Sequence, residues 1–175
     1  MRSFAIPFFL LLAPTGCGVA PQSASDETVS AFEISLPTPE DRSAFLETVR
    51  TAARSEGGHL DAATEEELRA TGKAMPSAKM TIKAAVWQGA DDKENWATIM
   101  DLDHVGQVWI TFAKGRDEGM ARRFRERTMR DIVHRWPNAL SLPIIKRRTI
   151  PLRRDLIKTP NGYTLNPSAA AKYKS

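Results

Sequence analysis

The chain of 175 residues has a single cysteine, Cys17, and only three histidines, at positions 59, 104 and 134. One cysteine excludes an internal disulfide framework and a multi-cysteine zinc site. Histidines this far apart leave no dense run of metal ligands, so no metal or other cofactor is expected. There is no Gly-x-Ser-x-Gly, no His-Glu-x-x-His and no phosphate-cradling glycine loop, so the common local signatures of esterases, zinc peptidases and nucleotide-binding enzymes are missing. No apolar run reaches the ~20 residues of a membrane-spanning helix. Disorder is excluded from the other side: 42% of residues are hydrophobic and 26% charged, a globular composition at the length of one ordinary domain.

Met1-Arg2-Ser3 is a short positive start, and Phe4 to Ala13 is almost wholly apolar, with Pro7 inside it. That run has the length and flanks of the hydrophobic region of a secretory signal peptide. Pro14-Thr15-Gly16-Cys17 follows and resembles the lipobox of bacterial lipoproteins, with small residues before the cysteine and Pro14 where the class usually has Leu. The resemblance implies removal of residues 1–16 as a signal peptide and lipidation of Cys17 on its sulfur and amine. It also implies residence in the bacterial cell envelope, and Gly18 in place of Asp points to the outer membrane, facing the periplasm. Ordinary cleavage near Gly18-Val19-Ala20 is the weaker alternative, because Pro21 would follow the cut; an uncleaved cytosolic start would leave the apolar run exposed. Acylation also caps a thiol that is a liability under oxidising conditions. At about 0.8 kcal/mol per buried methylene, several acyl chains anchor stably where one does not. Residues 17–29 read as a small, polar, flexible tether between lipid and domain.

The domain is placed at residues 30–146. Alternation from Ser30 to Leu36 predicts a half-buried strand. Thr38-Pro39-Glu40-Asp41 opens a helix with a cap, a first-turn proline and first-turn acids. Its apolar stripe is Phe45, Leu46, Val49, Ala52 and Ala53, and Gly57-Gly58 ends it. Leu60 to Pro76 shows no clear period beyond a helical turn or two at Thr64 to Ala70. Strands are predicted at Lys79–Trp87, Trp96–Leu102 and Gln107–Ala113. A second helix is predicted from about Asp117 to Arg135, with Met120, Phe124, Thr128 and Ile132 facing inward, and a last short strand at Leu140–Ile145. This order predicts an α+β fold, an antiparallel sheet with two helices on one face, in a ferredoxin-like (split βαβ) order with one extra strand. Such a fold hosts many unrelated functions and implies none of them.

From residue 147 the chain becomes a basic tail interrupted by proline, expected to lie along the domain surface with an extended piece at Tyr163–Leu165 and a short helix capped by Asn166. Charge is divided along the chain. Up to Ala113 there are 9 Lys and Arg against 16 Asp and Glu, a balance of −7; the remainder has 16 against 5, a balance of +11, giving the net +4. On the second helix Arg123, Arg127, Arg130 and His134 share one side, away from the apolar stripe. They are either a solvated face paired with acids of the first half, or part of an anion-facing surface with Lys146, Arg147, Arg148, Arg153 and Arg154. Export and the lack of an aromatic–basic motif argue against nucleic acid as the partner; anionic head groups, peptidoglycan and acidic envelope proteins remain.

Asp101-x-Asp103-His104 is the best acid–histidine cluster and could supply a base with an orienting carboxylate, but it falls at a predicted turn where Asp is common for backbone reasons. Asp91, Asp92 and Glu94 lack the ligand spacing of a calcium loop, and His59 has no local partner. Trp87 and Trp109 are out of phase with their strands' apolar residues. They either form a recognition surface on the far side of the sheet or lie beneath the helices or tail. The expectation is a non-enzymatic, lipid-anchored envelope protein that acts by contact with another envelope protein, in an accessory, inhibitor or immunity-type role. The alternatives are a structural lipoprotein binding peptidoglycan or anionic head groups through its basic face, and a hydrolase using Asp101, Asp103 and His104.

Overall fold

The first strand, β1 (Thr28–Ser35), follows the predicted alternation, yet its polar phase is buried as well: Ala31 and Glu33 are covered on one side and Ile34 on the other. It is a central strand. The computed structural model describes residues 27–66, 68–69, 81–89, 94–102, 105–145 and 149–174. Cys17, Met80, Asp91, Asp92, Asp103, His104, Lys146, Arg147 and Arg148, with the segment expected as a leader and most of the one expected as a tether, lie outside the described residues.

Helix α1 (Pro39–Ser55) starts as its sequence demands, with the Thr38 hydroxyl accepting from Asp41 N–H at 3.1 Å and Pro39 in the first turn. Phe45, Val49, Ala52 and Ala53 are buried. Gly57, at φ 81°, ends the helix, and Gly58 opens β2 (Gly58–Ala62), a strand the sequence pattern does not show. A side chain at Gly58 would come within 3.0 Å of the Trp96 ring, so this glycine serves a close approach rather than a helix stop. Leu68 N–H reaches Thr64 C=O at 3.0 Å in the short helical stretch expected there.

β3 (Thr81–Gln88), β4 (Glu94–Leu102) and β5 (Gln107–Ala113) form an antiparallel meander with β2. Helix α2 (Glu118–Arg135) is capped by the Asp117 side chain and buries Ala121, Phe124, Thr128 and Ile132, while Met120 packs partly buried against the same core. β6 is only Leu140–Ser141. The tail adds β7 (Leu156–Thr159) and β8 (Gly162–Leu165) between two short 3-10 helices at Arg153–Asp155 and Pro167–Tyr173.

Among the described residues eight strands form one sheet in the order β2-β3-β4-β5-β1-β6-β8-β7. The fold is α+β. The order departs from the expected ferredoxin-like one, because four strands rather than three separate α1 from α2 and because the tail's own hairpin extends the sheet. That hairpin pairs with β6 through one parallel position, Ser141 with Gly162, and the other strand pairs are antiparallel. Gly162 is needed there: its φ is 137°, and a Cβ would lie 2.6 Å from Ser141 C=O.

Two layers flank the sheet. On one face α1 and α2 pack on Ile34, Val86, Ile99, Ile110 and Phe112. Phe124 stacks on Trp96 with ring centroids 5.6 Å apart, and Phe45 meets Trp136 edge-on at 5.9 Å. Trp96 reaches this side because β4 is bulged: Val86 pairs with Ala97 and Trp87 with Asn95, which leaves Trp96 as the extra residue. On the other face a smaller cluster of Ala31, Leu102, Trp109, Leu142, Leu156 and Tyr163 joins the tail to the sheet.

Candidate functional site

The structure divides the predicted basic surface. Arg123 and Arg127 lie one helical turn apart on α2 and both hold Glu56, at the end of α1, with Nε–O distances of 3.1 and 3.2 Å. Arg130 and His134 sit further along the helix. With Arg135, Asp131 and α1 residues Glu47 and Thr48 they line an open groove of about 700 Å³ between the helices. Arg153 belongs to the tail and therefore to the opposite face of the sheet, beside exposed Arg154. The helix stripe and the described part of the tail do not form one continuous surface. The physical reason is the sheet itself, which stands between them.

Arg153 has a different task. Glu33, in the middle of β1 and only 2% exposed, accepts from Trp109 Nε1 at 2.8 Å, from Arg153 Nε at 2.9 Å and from the Tyr163 hydroxyl. Arg153 also donates to the Tyr163 oxygen at 2.9 Å and lies 4.6 Å from the centre of its ring. A buried carboxylate is tolerated when it is fully hydrogen-bonded and paired, and here three partners from β5 and the tail meet it. Burial, then the hydrogen bond to Glu33, pushes the Tyr163 hydroxyl up to about 12. A second clasp lies nearby, where the buried Asp155 accepts from Lys172 at 2.8 Å and from Tyr173 at 2.7 Å. The Lys172 hydrogen bond, followed by that of Tyr173, holds the Asp155 carboxyl below the ordinary range. Burial and the bond to Asp155 raise Tyr173. Trp109, expected as a possible contact residue, is 1% exposed. It anchors the tail and is corrected here from surface to core.

Trp87 differs. It is half-buried on the same face as Trp109, directly opposite His59 on β2 and Asn95 on β4. Leu60 packs into the helix-side core, so alternation sends His59 and Asp61 to Trp87's side. His59 Nε2 and Asp61 Oδ2 are 3.6 Å apart. No member of the tail-side cluster comes from β2 or β3. This outer half of the face carries Trp87, His59, Asp61, Ala85, Asn95 and Thr98, all partly accessible.

Of the acid–histidine cluster, Asp101 alone falls among the described residues. It is 5% exposed, with Arg42 Nε 3.5 Å from its carboxylate. Both line a cleft of about 340 Å³ between the first turns of α1 and the sheet, with Phe45, Leu46, Ile99 and Val108 as its apolar walls and Lys83 from β3. Glu94, considered in the sequence with Asp91 and Asp92, is a structural group: it is 4% exposed and accepts from Arg116 N–H.

No family model matches the chain, and neither the curated proteins nor the solved structures include a match to it.

The sequence reading missed Glu33, Tyr163, Asp155, Lys83 and Arg42. A local signal existed for Glu33 alone, a charge on the same strand phase as the small residues Ala31 and Ser35, and it reads as solvent-facing until the tail is placed over it.

Proposed function

We propose that the protein is a lipid-anchored resident of the bacterial envelope, attached through Cys17 to the outer membrane on its periplasmic side, and that it works by docking another envelope protein in an accessory, inhibitory or immunity-type role. The observation that carries the docking part is the accessible strip around Trp87. The helices cover one face of the sheet and the tail covers the inner half of the other, which leaves a large aromatic flanked by His59, Asp61 and Asn95. Aromatic anchors of this kind dominate protein-contact energetics, typically ~2 kcal/mol or more on truncation. Two measurements test the reading. Mass spectrometry of the mature N-terminus is expected to find an acylated Cys17; an unacylated chain in the cytosol still carrying Met1 overturns it. Capture from solubilised envelopes is expected to yield a partner that Trp87→Ala loses, and a chain that captures nothing argues against contact as its work.

A second reading, that the domain rests on anionic head groups or peptidoglycan, has its own support. Lys114, Arg122 and Arg125 gather with Glu27 and Glu118 around the point where the described chain begins, and Lys114 N–H binds Glu27 C=O at 2.7 Å. Nine residues lie between Cys17 and Glu27, a reach of at most about 35 Å over the ten steps, so this end of the domain stays near any lipid on Cys17. Each cation close to an anionic surface contributes about 1 kcal/mol, screened by salt. Co-sedimentation with sacculi or anionic vesicles at low salt is expected if this reading holds, and its absence removes it.

A further inference from the structure

We propose that the groove between α1 and the C-terminal half of α2 binds a small soluble phosphate monoester, with the phosphoryl group at Arg130, His134 and Arg135 and the apolar body on Ala44 and Thr48. The inference goes beyond the docking function and does not depend on it, since Trp87 lies on the opposite face of the sheet.

Three observations carry it. The first is the space. The helices run antiparallel, with Glu56 at the end of α1 against Arg123 and Phe45 near its start against Trp136. Towards the Phe45 end α1 lines the gap with Ala44, Thr48 and Thr51, side chains too short to fill it, and about 700 Å³ stays open. That volume falls within the ~300–1,000 Å³ of small-molecule sites. Residues 44–51 span about 10 Å of helix axis, a length that suits a small molecule.

The second is uneven neutralisation along the basic stripe. Glu56 lies within 3.2 Å of both Arg123 and Arg127 and serves that half of the helix. In the groove half each acid already has a cation beside it: Glu47 pairs with Arg50, and Asp131 lies 3.7 Å from Arg130 Nε. His134 and Arg135 come in addition, and neither has an ion pair among the described residues. The α2 macrodipole accounts for cations in the last turn, but not for Arg130 or for the open space in front of all three.

The third is the set of groups. The Arg135 guanidinium lies 4.9 Å from the centre of the Trp136 ring, which holds its fork in place before a ligand arrives. Arg130 and His134 are one helical turn apart on the same side. The Thr48 hydroxyl is turned back onto Ala44 C=O at 2.9 Å, so its methyl is the part left for a ligand, and Thr51 adds a hydroxyl at the exposed rim. Two guanidinium forks and an imidazole suit the several oxygens of a phosphoryl group. The methyl-lined floor beside them suits an anion that carries an apolar body.

The test uses the full chain with methyl-labelled Ala and Thr, titrated separately with phenyl phosphate, inorganic phosphate and benzylamine and followed by NMR. Phenyl phosphate is expected to shift the Ala44, Thr48 and Thr51 methyls saturably. Benzylamine, a similar ring on a cation, should be at least about tenfold weaker at the same methyls. Inorganic phosphate, which lacks the ring, should be at least about threefold weaker. Arg135→Met is expected to weaken phenyl phosphate about tenfold. Arg123→Met removes the same charge from the Glu56 half and should change it less than about twofold. No saturable shift, equal binding of benzylamine or of inorganic phosphate, or equal losses in the two folded variants overturns the proposal. So do shifts of these methyls by phosphatidic acid vesicles without any by phenyl phosphate, which would assign the phosphate to a lipid. The comparison of ligands on the unaltered chain decides the matter even if a variant does not fold. Loss of the Trp87 partner leaves these shifts in place, so the two readings fail separately.

Discussion

The two layers that cover the sheet are held by different physics. The helix layer is apolar and redundant: Phe45, Val49, Phe124 and Ile132 interlock with five or more strand residues, and no single contact fixes the arrangement. The tail layer has a smaller apolar cluster and depends on two polar clasps, one centred on Glu33 and the other on Asp155. Area-driven packing tolerates variation in its parts. A clasp built on one buried carboxylate does not, because losing the acceptor leaves its donors unsatisfied. The difference teaches that the helix layer sets global stability, whereas the tail's position is specified by a few groups and can be released separately.

The largest effect is expected in the helix layer. Phe124→Ala removes a fully buried ring that touches Trp96 and Phe112 and should cost about 3–5 kcal/mol, read as a lower denaturant midpoint for the whole chain. Glu33→Ala should cost less, about 2–3 kcal/mol, since Arg153 keeps partial access to water. Its signature is local: faster proteolysis between residues 149 and 174, with the helix-side core intact. A Glu33→Ala chain that unfolds in the same single step as Phe124→Ala breaks the distinction between the layers.

The clasps also give the tail a pH dependence with two limits. The folded Asp155 carboxyl lies below its unfolded value, so its contribution is present above the ordinary carboxylate pKa, about 4. That contribution is lost as the pH falls through the lower folded value. The Tyr163 hydroxyl is raised to about 12, so its contribution is full below about 10 and disappears between about 10 and 12. Stability measured against pH should show the gap between the wild type and Asp155→Asn closing in acid, and the gap to Tyr163→Phe closing in alkali. A gap that stays constant in either limb removes that clasp from the comparison. The smallest effect belongs to the surface of the helix layer: Glu56→Gln weakens the Arg123 and Arg127 pairs, both well exposed on the arginine side, and should cost no more than about 1 kcal/mol.

What could be read in advance follows the same division. α1 was legible because Thr38, Pro39 and the Phe45–Ala53 stripe are local signals, and the bounds of β5 came directly from alternation. β2 was not legible: five residues containing Gly58, His59 and Asp61 carry too little apolar period, and they become a strand only by pairing with β3. The stripe on α2 was legible as a geometric fact, but its pairing with Glu56 was not, since the partners lie 67 and 71 positions away. The Glu33 clasp joins residues 76, 120 and 130 positions apart, a separation at which one sequence carries no pairing signal. The cleft at Asp101 was half legible: Asp101 stood out among the acids, while Arg42 and Lys83 are brought to it only by the helix and by the bulge at Lys83 in the pairing of β3 with β4.

By itself the sequence determined the two helices, most of the meander and the α+β class, because caps and hydrophobic period act over a few residues. Only the tertiary structure decided that Trp109 is core and Trp87 accessible, that the basic helix and the described tail lie on opposite faces, and that Lys83, Arg42 and Asp101 line one cleft. Those outcomes depend on which face each strand residue meets, and that is set by register, bulges and the path of the tail, where a single inserted residue reverses the side to which a side chain points.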